Sequence, residues 1–386
     1  GFNMARKHVK VEPDRWYYHC DQLGLLVWQD LPSGDESISP VAPDIERGAQ
    51  SERNYFKELA HMVEKYGNHP CIVMWVPFNE GWGQFKTNEV SQWLKQLDPS
   101  RLVNQASGWA DRAGGDVHDM HNYPGPGMFP VEETRASVLG EFGGLGWPIE
   151  GHLWWNNRNW GYRTYDSQEK VRNHYTQLIH NMRRLIGKGL CAGVYTQTTD
   201  VEGEVNGLLT YDRALVKMDT AWLKQLNDTV YLAPPEVKQL VQTSEEEPLR
   251  WAYTTDQPAE GWEKPAFDDN AWKRGRGVFG TEKTPGANVR TEWKTPAIWL
   301  RRTFAVDSLP EGGTIMLQLL HDEDAEVYIN GVLAAKAEGH TSNYDEIPLS
   351  EAARAALTPG ENLVAVHCIQ TKGGQCIDVG MIWVKE

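Results

Sequence analysis

The sequence predicts an α/β protein whose first part is a (β/α)8 TIM barrel with its first strand missing and whose second part is an all-β sandwich. Up to about residue 232, short apolar runs alternate with segments of helical spacing, which is the pattern of βαβ repeats. From Leu249 onward, short alternating runs are separated by turn residues, which favours an antiparallel sandwich. We therefore expect a barrel over residues 1–232, a linker over 233–248 and a sandwich over 249–386.

Seven buried strands with intervening helices are expected in the barrel. In chain order the strands are the opening segment GFNMARKHVK, then GLLVWQD, CIVMWVPFNE, LVNQAS, DVHDMHNYP, SVLGEF and LCAGVYTQTTD. Helical spacing predicts helices over 14–23, 51–66, 88–97 and 168–186. Seven strands are one fewer than a closed barrel needs. We expect the missing strand to be the first, and a segment upstream of this chain to have been removed.

The second part shows the turns and the alternation of a sandwich. Its apolar segments are WLRRTFAV, TIMLQLL, AEVYINGVLAA and NLVAVHCI, and its turn signals are Asn330-Gly331 and Pro359-Gly360. The preceding stretch LAPPEVKQLVQTSEEEP carries a proline pair and an acidic run, which is typical of a linker.

Composition excludes several classes of function. A net charge of −15 disfavours a nucleic-acid or anionic membrane partner, because either would require a basic patch. No run of roughly 18 apolar residues is present, so no membrane span is expected. None of the five cysteines has Cys-x-x-Cys spacing, so we expect neither a disulfide framework nor a zinc site.

Two glutamates end apolar runs, Glu80 in CIVMWVPFNE and Glu141 in SVLGEF. Side chains at the carboxyl ends of barrel strands face the active-site edge. The two positions are 61 residues apart, which leaves room for about three βα units of ~20 residues. The barrel would then bring both carboxylates across its mouth, and facing carboxylates are typical of glycoside cleavage.

The chain contains 17 tryptophans, and many fall near predicted loops. Indole rings pack well against the apolar face of a sugar ring, so such a set suits a carbohydrate ligand. The alternative is that they fill a large core and anchor loops. The residues concerned are Trp82, Trp109, Trp147, Trp154, Trp155 and Trp160, of which Trp82 is our candidate for substrate binding.

Four motifs, GFNMARKHVK, YYHCDQLGLLVWQD, NHPCIVMWVPFNEGWG and VLGEFGG, resemble in order and spacing glycoside hydrolase family 2, the family of β-galactosidases, β-glucuronidases and β-mannosidases. The resemblance covers residues 1 to about 225. It implies that Glu141 is the nucleophile and that Glu80 is the acid/base catalyst of a retaining mechanism, which proceeds through a covalent glycosyl-enzyme.

The resemblance also implies roles for neighbouring residues. Asn79 would bind the sugar's 2-hydroxyl group, and Tyr123 would orient the nucleophile unless it packs as a loop aromatic. Arg6 and His8 are expected to contact the nucleophile or the sugar because of their place at the end of the first predicted strand, although a buried arginine and histidine in a barrel interior would look the same. His121 completes the expected substrate-binding set.

Two polar clusters invite a metal interpretation. His118, Asp119 and His121 lie on one short predicted strand, but a third convincing ligand is lacking. The segment TTDVEGEVNG offers Asp200, Glu202 and Glu204, yet no twelve-residue EF-hand loop surrounds them. A loop that shapes the pocket rim is the favoured interpretation, with Asp200 or Asn206 as possible selectors of sugar hydroxyls. We expect no metal and no cofactor.

The second part resembles a galactose-binding-like jelly roll. Such a domain could bind glycan, cap the barrel or serve as a scaffold, and the scaffold role is favoured. The predicted function is a retaining exo-β-glycosidase of the β-galactosidase type, with a carbohydrate as its partner. The alternatives are an endo-acting glycanase and a non-catalytic carbohydrate-binding fragment. The oligomeric state stays open, as does localisation, for which only analogy with polymer-degrading relatives suggests export.

Overall fold

The computed structural model describes residues 1–245, 247–282, 284, 286–341 and 344–386. The chain divides into two compact units, Gly1–Pro234 and Pro235–Glu386. Across the described ranges, no helix has the length and apolar character that a membrane span needs.

The first unit is a partial barrel of parallel strands, as predicted. One sheet has the order β1-β2-β3-β4 and the other the order β5-β6-β9, and all neighbouring strands in both run parallel. The strands are β1 (Met4–Lys7), β2 (Leu26–Asp30), β3 (Ile72–Val76), β4 (Leu102–Val103), β5 (Val117–Asn122), β6 (Ala136–Gly143), β7 (Leu145–Gly146), β8 (Arg163–Thr164) and β9 (Ala192–Thr196). Strands β7 and β8 form a separate parallel pair in the loop after β6.

Helices cover the outside of these strands. They are α1 (Asp14–Leu23), α2 (Ala49–Tyr66), α3 (Thr87–Leu97), α4 (Gln168–Lys188) and α5 (Thr220–Asp228), followed by a 3-10 turn at Thr229–Tyr231. The first four match the predicted helices to within two residues at each end. Helix α4 begins where the Ser167 side chain accepts from the Lys170 N–H, and it ends at Gly189, whose φ of +113° suits glycine.

Two apolar layers fix the helices to the sheets. Helix α2 buries one face against β2 and β3, and α4 buries another against β6 and β9. A third apolar cluster fills the strands' inner side, where Trp28, Met74 and Val138 pack together. Strands β1 and β9 both line an apolar cavity of about 450 Å³. This packing holds the carboxyl ends of the strands, and the side chains that follow them, at one edge.

The second unit is a two-sheet sandwich, which confirms the predicted fold class. One sheet has the order β14-β13-β21-β16-β19, with β10 also on β21, and the other has the order β12-β11-β15-β20-β17-β18. Its elements are β10 (Glu236–Val241), β11 (Arg250–Thr254), β12 (Lys273–Arg276), β13 (Phe279–Gly280), β14 (Thr291–Glu292), β15 (Ala297–Val306), β16 (Thr314–Asp322), β17 (Asp324–Ile329), β18 (Val332–Ala337), β19 (Asp345–Pro348), α6 (Glu351–Ala356), β20 (Gly360–Ile369) and β21 (Cys376–Lys385).

Most strand pairs in this sandwich are antiparallel, and their inward residues form one large core. The predicted turn at Asn330-Gly331 joins β17 to β18, and both residues have positive φ, +50° and +88°. That conformation is the one an Asn-Gly hairpin requires. Within the stretch assigned to a linker, Glu236–Val241 instead forms strand β10, because its backbone finds a partner in β21.

Candidate active site

The two predicted carboxylates lie at the same edge of the partial barrel, one on a strand and the other on a loop. Glu141 lies within β6, and Glu80 lies in a loop four residues beyond the end of β3 at Val76. The strand was expected to continue to Glu80, and it stops because Pro77 has no N–H group for the ladder. Glu80 is held at the edge through its backbone N–H, which donates to the Ser107 carbonyl at 2.8 Å. Its φ of +51° turns the chain sharply at this point.

Glu141 has several hydrogen-bond and ion-pair partners. Its Oε1 accepts from Nη1 of Arg6 at 3.0 Å, and its Oε2 accepts from the Tyr123 hydroxyl at 2.6 Å. Burial raises the pKa of Glu141, but the positive charges of His121, Arg6 and His8 and the Tyr123 hydrogen bond outweigh it, so the pKa lies below the ordinary value of 4.5. At neutral pH the Glu141 side chain is therefore an anion with restricted orientation.

Arg6 is the central cation of this network and is almost fully buried. Nε donates to Asp30 at 3.1 Å, and Nη2 donates to Asp30 at 2.8 Å and to Asn79 Oδ1 at 2.7 Å. Burial alone would lower the pKa of Arg6, but the charges of Asp30 and Glu141 raise it above the ordinary value. Its three nitrogens thus tie β1 to β2, to the Glu80 loop and to β6.

Glu80 belongs to a second chain of hydrogen bonds. Its Oε1 lies 2.8 Å from Nδ1 of His121, whose Nε2 lies 2.7 Å from the Ser107 hydroxyl. Ser107 in turn donates to Oδ2 of Asp119 at 2.6 Å. Burial raises the pKa of Asp119, against the charges of His121 and Arg6 and the Ser107 hydrogen bond. The His121 side chain is fully buried, and these contacts restrict the orientation of the ring.

One carboxylate oxygen each from Glu80 and Glu141 and a ring nitrogen of His121 lie within 4.8 Å of one another. A metal ion could use such a spacing. However, Nη1 of Arg6 already lies 3.0 Å from Glu141 and 3.3 Å from His121, so a divalent cation would have to share this space with a buried guanidinium. The charge distribution therefore fits an organic substrate between the carboxylates better than a metal ion.

The other predicted site residues occupy distinct places. His8 is about half exposed, and its Nδ1 lies 3.5 Å from Glu141. Asn79 is buried against Arg6. The backbone N–H of Trp82 donates to the Asn79 carbonyl at 2.9 Å and closes the turn around Glu80. The Trp82 side chain is 50% exposed. Asn79, His8, Arg6, Tyr123 and His121 therefore all contact one of the two carboxylates or their direct partners.

The candidate metal cluster on β5 does not converge. His118 pairs with Glu132 at 2.7 Å and stacks on Phe129. Asp119 instead accepts from Ser107, Asn104 and the Gly140 N–H. These orientations follow from the alternation of side chains along a strand.

The acidic segment after β9 was expected to form the pocket rim, with Asp200 or Asn206 binding sugar hydroxyl groups. The structure gives these two residues other partners. Asp200 is buried and accepts from Nζ of Lys217 at 2.7 Å and from the Gly207 N–H at 2.7 Å. Asn206 is also buried and donates to Glu204 at 2.8 Å. Asp200 thus fixes the loop, and Glu204 is a partly exposed acid of the same loop that interacts electrostatically with Glu141.

Aromatic side chains extend the site outward from Tyr123. Tyr162 stacks on Tyr123 with ring centroids 3.5 Å apart, and Trp160 meets Tyr162 edge to face at 5.4 Å. Tyr162 and Trp160 are 46% and 48% exposed. Of the tryptophans expected near loops, Trp82, Trp109, Trp154, Trp155 and Trp160 are exposed and Trp147 is partly buried. The sequence patterns gave no role to Tyr162, Ser107, Asp30 or Thr196.

Residues 1–122 match the model for the TIM barrel domain of glycosyl hydrolases family 2. The β-galactosidase of Vibrio cholerae is 32% identical over 117 residues, which are 30% of this chain and 11% of that enzyme. The β-galactosidase of Psychromonas ingrahamii is 32% identical over 121 residues, with the same two shares. The aligned part thus spans about a tenth of the length of these curated relatives. The match to the family model, residues 1–122, contains Glu80 and ends before Glu141.

Solved structures show a weaker likeness. The Bacteroides uniformis β-glucuronidase 2 structure aligns with 100% of this chain and 61% of that chain, at 13% identity and a TM-score of 0.42. That score is too low to support an inference about activity. The sequence match is the stronger finding: residues 1–122 of this chain match the TIM barrel domain of glycosyl hydrolases family 2 and are similar in sequence to bacterial β-galactosidases.

Proposed function

We propose that this chain hydrolyses terminal β-linked sugars with retention of configuration, with Glu141 as nucleophile and Glu80 as acid/base catalyst. The main support is the pairing of two carboxylates whose oxygens lie within 4.8 Å of each other in different surroundings. Retaining enzymes place their two carboxyl groups roughly 5–5.5 Å apart. The family whose model residues 1–122 match is one of retaining O-glycosidases.

The different surroundings suit two different roles. Glu141 faces the cation Arg6 and the hydroxyl of Tyr123, which keep it ionised for attack on the anomeric carbon. Glu80 faces His121 instead, which fixes the orientation of its carboxyl group. In its protonated form Glu80 donates a proton to the leaving oxygen as the bond from the sugar to the aglycone breaks and the bond to Glu141 forms.

The second half of the reaction uses the same groups in reverse. Glu80, now a carboxylate, accepts a proton from a water molecule whose oxygen attacks the anomeric carbon. The bond between Glu141 and the sugar breaks, and Glu141 leaves as the carboxylate that Arg6 and Tyr123 stabilise. The sugar regains its original configuration after two inversions.

Asn79 is placed to bind the sugar rather than the catalysts. Its Oδ1 accepts from Arg6 at 2.7 Å, so the two protons of Nδ2 point away from the guanidinium. An amide donor beside the nucleophile can bind the sugar's 2-hydroxyl group, where hydrogen bonds that strengthen in the transition state lower the barrier. This role agrees with the one that the family resemblance implies.

A panel of p-nitrophenyl β-glycosides tests the proposal, with the β-galactoside first because the curated relatives are β-galactosidases. We expect Glu141→Gln and Glu80→Gln to lower kcat/KM by about 10²-fold or more, whereas Glu89→Gln, an exposed residue of α3, changes it little. Proton NMR of the first product should show the β-anomer. An α-anomer, or full activity in Glu141→Gln, would contradict the mechanism.

A further inference from the structure

A third carboxylate, Glu204, lies near the catalytic pair and has no part in the mechanism above. It belongs to a tight hairpin after β9, in which its N–H donates to the Val201 carbonyl at 2.9 Å. The segment around Trp160 pairs with the same hairpin, because the Val205 N–H donates to the Trp160 carbonyl at 2.8 Å. The backbone on both sides of Glu204 is therefore fixed.

Two amide side chains, of which Asn206 is buried, orient the Glu204 side chain. Its Oε1 accepts from Nδ2 of Asn206 at 2.8 Å, and Oδ1 of Asn206 accepts from Nε2 of Gln197 at 2.7 Å. Gln197 directly follows Thr196, whose hydroxyl lies 2.7 Å from that of Tyr123. Glu204 is thus connected through few intermediates to the tyrosine that binds the nucleophile, and its side chain is only partly buried.

Electrostatic coupling agrees with this placement. Burial raises the pKa of Glu204, with repulsion from Glu141 adding to the rise and the charge of His8 opposing it. Burial also raises the pKa of Tyr162 to about 12, with further contributions from Glu141, Glu204 and Glu80. One phenol therefore lies within the electrostatic range of all three carboxylates.

These surroundings have a definite chemical preference. A carboxylate is a strong hydrogen-bond acceptor for hydroxyl groups, and the adjacent rings of Tyr162 and Trp160 offer an apolar face to a sugar ring. A uronate would instead meet the carboxylates of Glu141 and Glu204, which repel its own negative charge. The guanidinium beside Glu141, that of Arg6, already donates from all three nitrogens to Asp30, Asn79 and Glu141.

We propose that Glu204 is a specificity residue that binds a hydroxyl group of the sugar, so that the site takes an uncharged glycone and rejects a uronate. This inference rests on the proposed function, because it places the sugar ring over Glu141.

Binding to the Glu141→Gln chain tests the inference without requiring turnover. Calorimetry with p-nitrophenyl β-galactoside, β-glucoside, β-mannoside and β-glucuronide should show a neutral sugar bound at least about tenfold more tightly than the glucuronide. Adding Glu204→Gln should weaken binding of the neutral sugar by about 10- to 100-fold. Its Kd should thereby come closer to that of the glucuronide. Glu202→Gln, an exposed acid of the same hairpin, is the matched control and should change neither.

Monodeoxy analogues of the tightest neutral glycoside identify the contact. For one analogue, Glu204→Gln should cause no further loss, because the partner hydroxyl is already absent. Three results would overturn the inference: an equal loss of affinity for every analogue, tighter binding of the glucuronide, or no effect of Glu204→Gln on affinity. Turnover by the wild-type chain combined with any of these results leaves the proposed function intact. No turnover with Glu204-dependent binding would refute the hydrolase and support the specificity role.

Discussion

Nδ1 of His121 lies 2.8 Å from Oε1 of Glu80, and the ring is fully buried. The opposite nitrogen contacts Ser107, which donates to Asp119. A buried acid, a hydroxyl and an imidazole thus form a continuous path to the proposed acid/base catalyst. Such a path fixes the orientation of Glu80 and gives its proton a defined partner.

The first prediction concerns His121→Gln. If His121 serves the acid role of Glu80, kcat/KM should fall by about 10²-fold for substrates with poor leaving groups, such as alkyl glycosides, and far less for dinitrophenyl glycosides, which need no protonation. The measurement is the dependence of rate on the leaving group's pKa. A purely structural role would lower both rates equally. His118→Gln, on the same strand but paired with Glu132, is the control.

The second prediction concerns the hydrogen bond from Tyr123 to Glu141, which is 2.6 Å long. Tyr123→Phe keeps the ring that stacks on Tyr162 and removes only the hydroxyl group. Hydrogen bonds to charged groups contribute about 1.5–3 kcal/mol, so labelling of Glu141 by a 2-deoxy-2-fluoro β-glycosyl fluoride should slow by about 10- to 100-fold. Mass spectrometry of the intact chain gives the rate. Unchanged labelling would remove Tyr123 from the mechanism, and Tyr18→Phe on the exposed face of α1 controls for the substitution.

The third prediction concerns acid pH. The pKa of folded Glu141 lies below its ordinary value of 4.5, so its ionised form stabilises the fold fully above that value and the contribution disappears as the pH falls through the folded pKa. The difference in urea midpoint between the wild-type chain and Glu141→Gln should therefore be constant near neutrality and shrink below pH 4.5. Activity should also decrease below pH 4.5, because the attack on the anomeric carbon requires the Glu141 anion. A difference that grows on acidification would show that the sign is wrong.

Helical and strand periodicity predicted the elements of the first unit well, because each depends on local spacing. The bounds of α1 agree at both ends with the expected 14–23. The sequence pattern did not predict that Glu80 lies beyond the end of its strand. A single proline, Pro77, ends the strand early, and the position of Glu80 then depends on its hydrogen bond to Ser107, four residues beyond the end of β4.

The partners of the site residues could not be predicted in the same way. Arg6 contacts Glu141 across 135 positions of sequence, and no local pattern encodes such a contact. The resemblance to family 2 implied catalytic roles for Glu80 and Glu141 and an orienting role for Tyr123. It gave no role to Asp30, although that residue accepts two hydrogen bonds from Arg6.

The fourth prediction concerns the buried ion pair that fixes the Glu204 hairpin. Nζ of Lys217 lies 2.7 Å from Asp200, and both side chains are at least 96% buried. Burial lowers the pKa of Lys217 and raises that of Asp200 despite their pairing. Lys217→Met leaves Asp200 without its cation and should cost about 3–5 kcal/mol of unfolding free energy.

The same pair allows an internal test by urea unfolding. Adding Asp200→Asn to Lys217→Met removes the unpaired charge while keeping an acceptor for the Gly207 N–H, so part of the lost stability should return. Lys224→Met, which breaks an exposed pair with Asp228, should shift the midpoint little. If Lys217→Met were as mild as Lys224→Met, the hairpin would have another support. Sugar specificity could then not be attributed to a Glu204 held in place through Asp200.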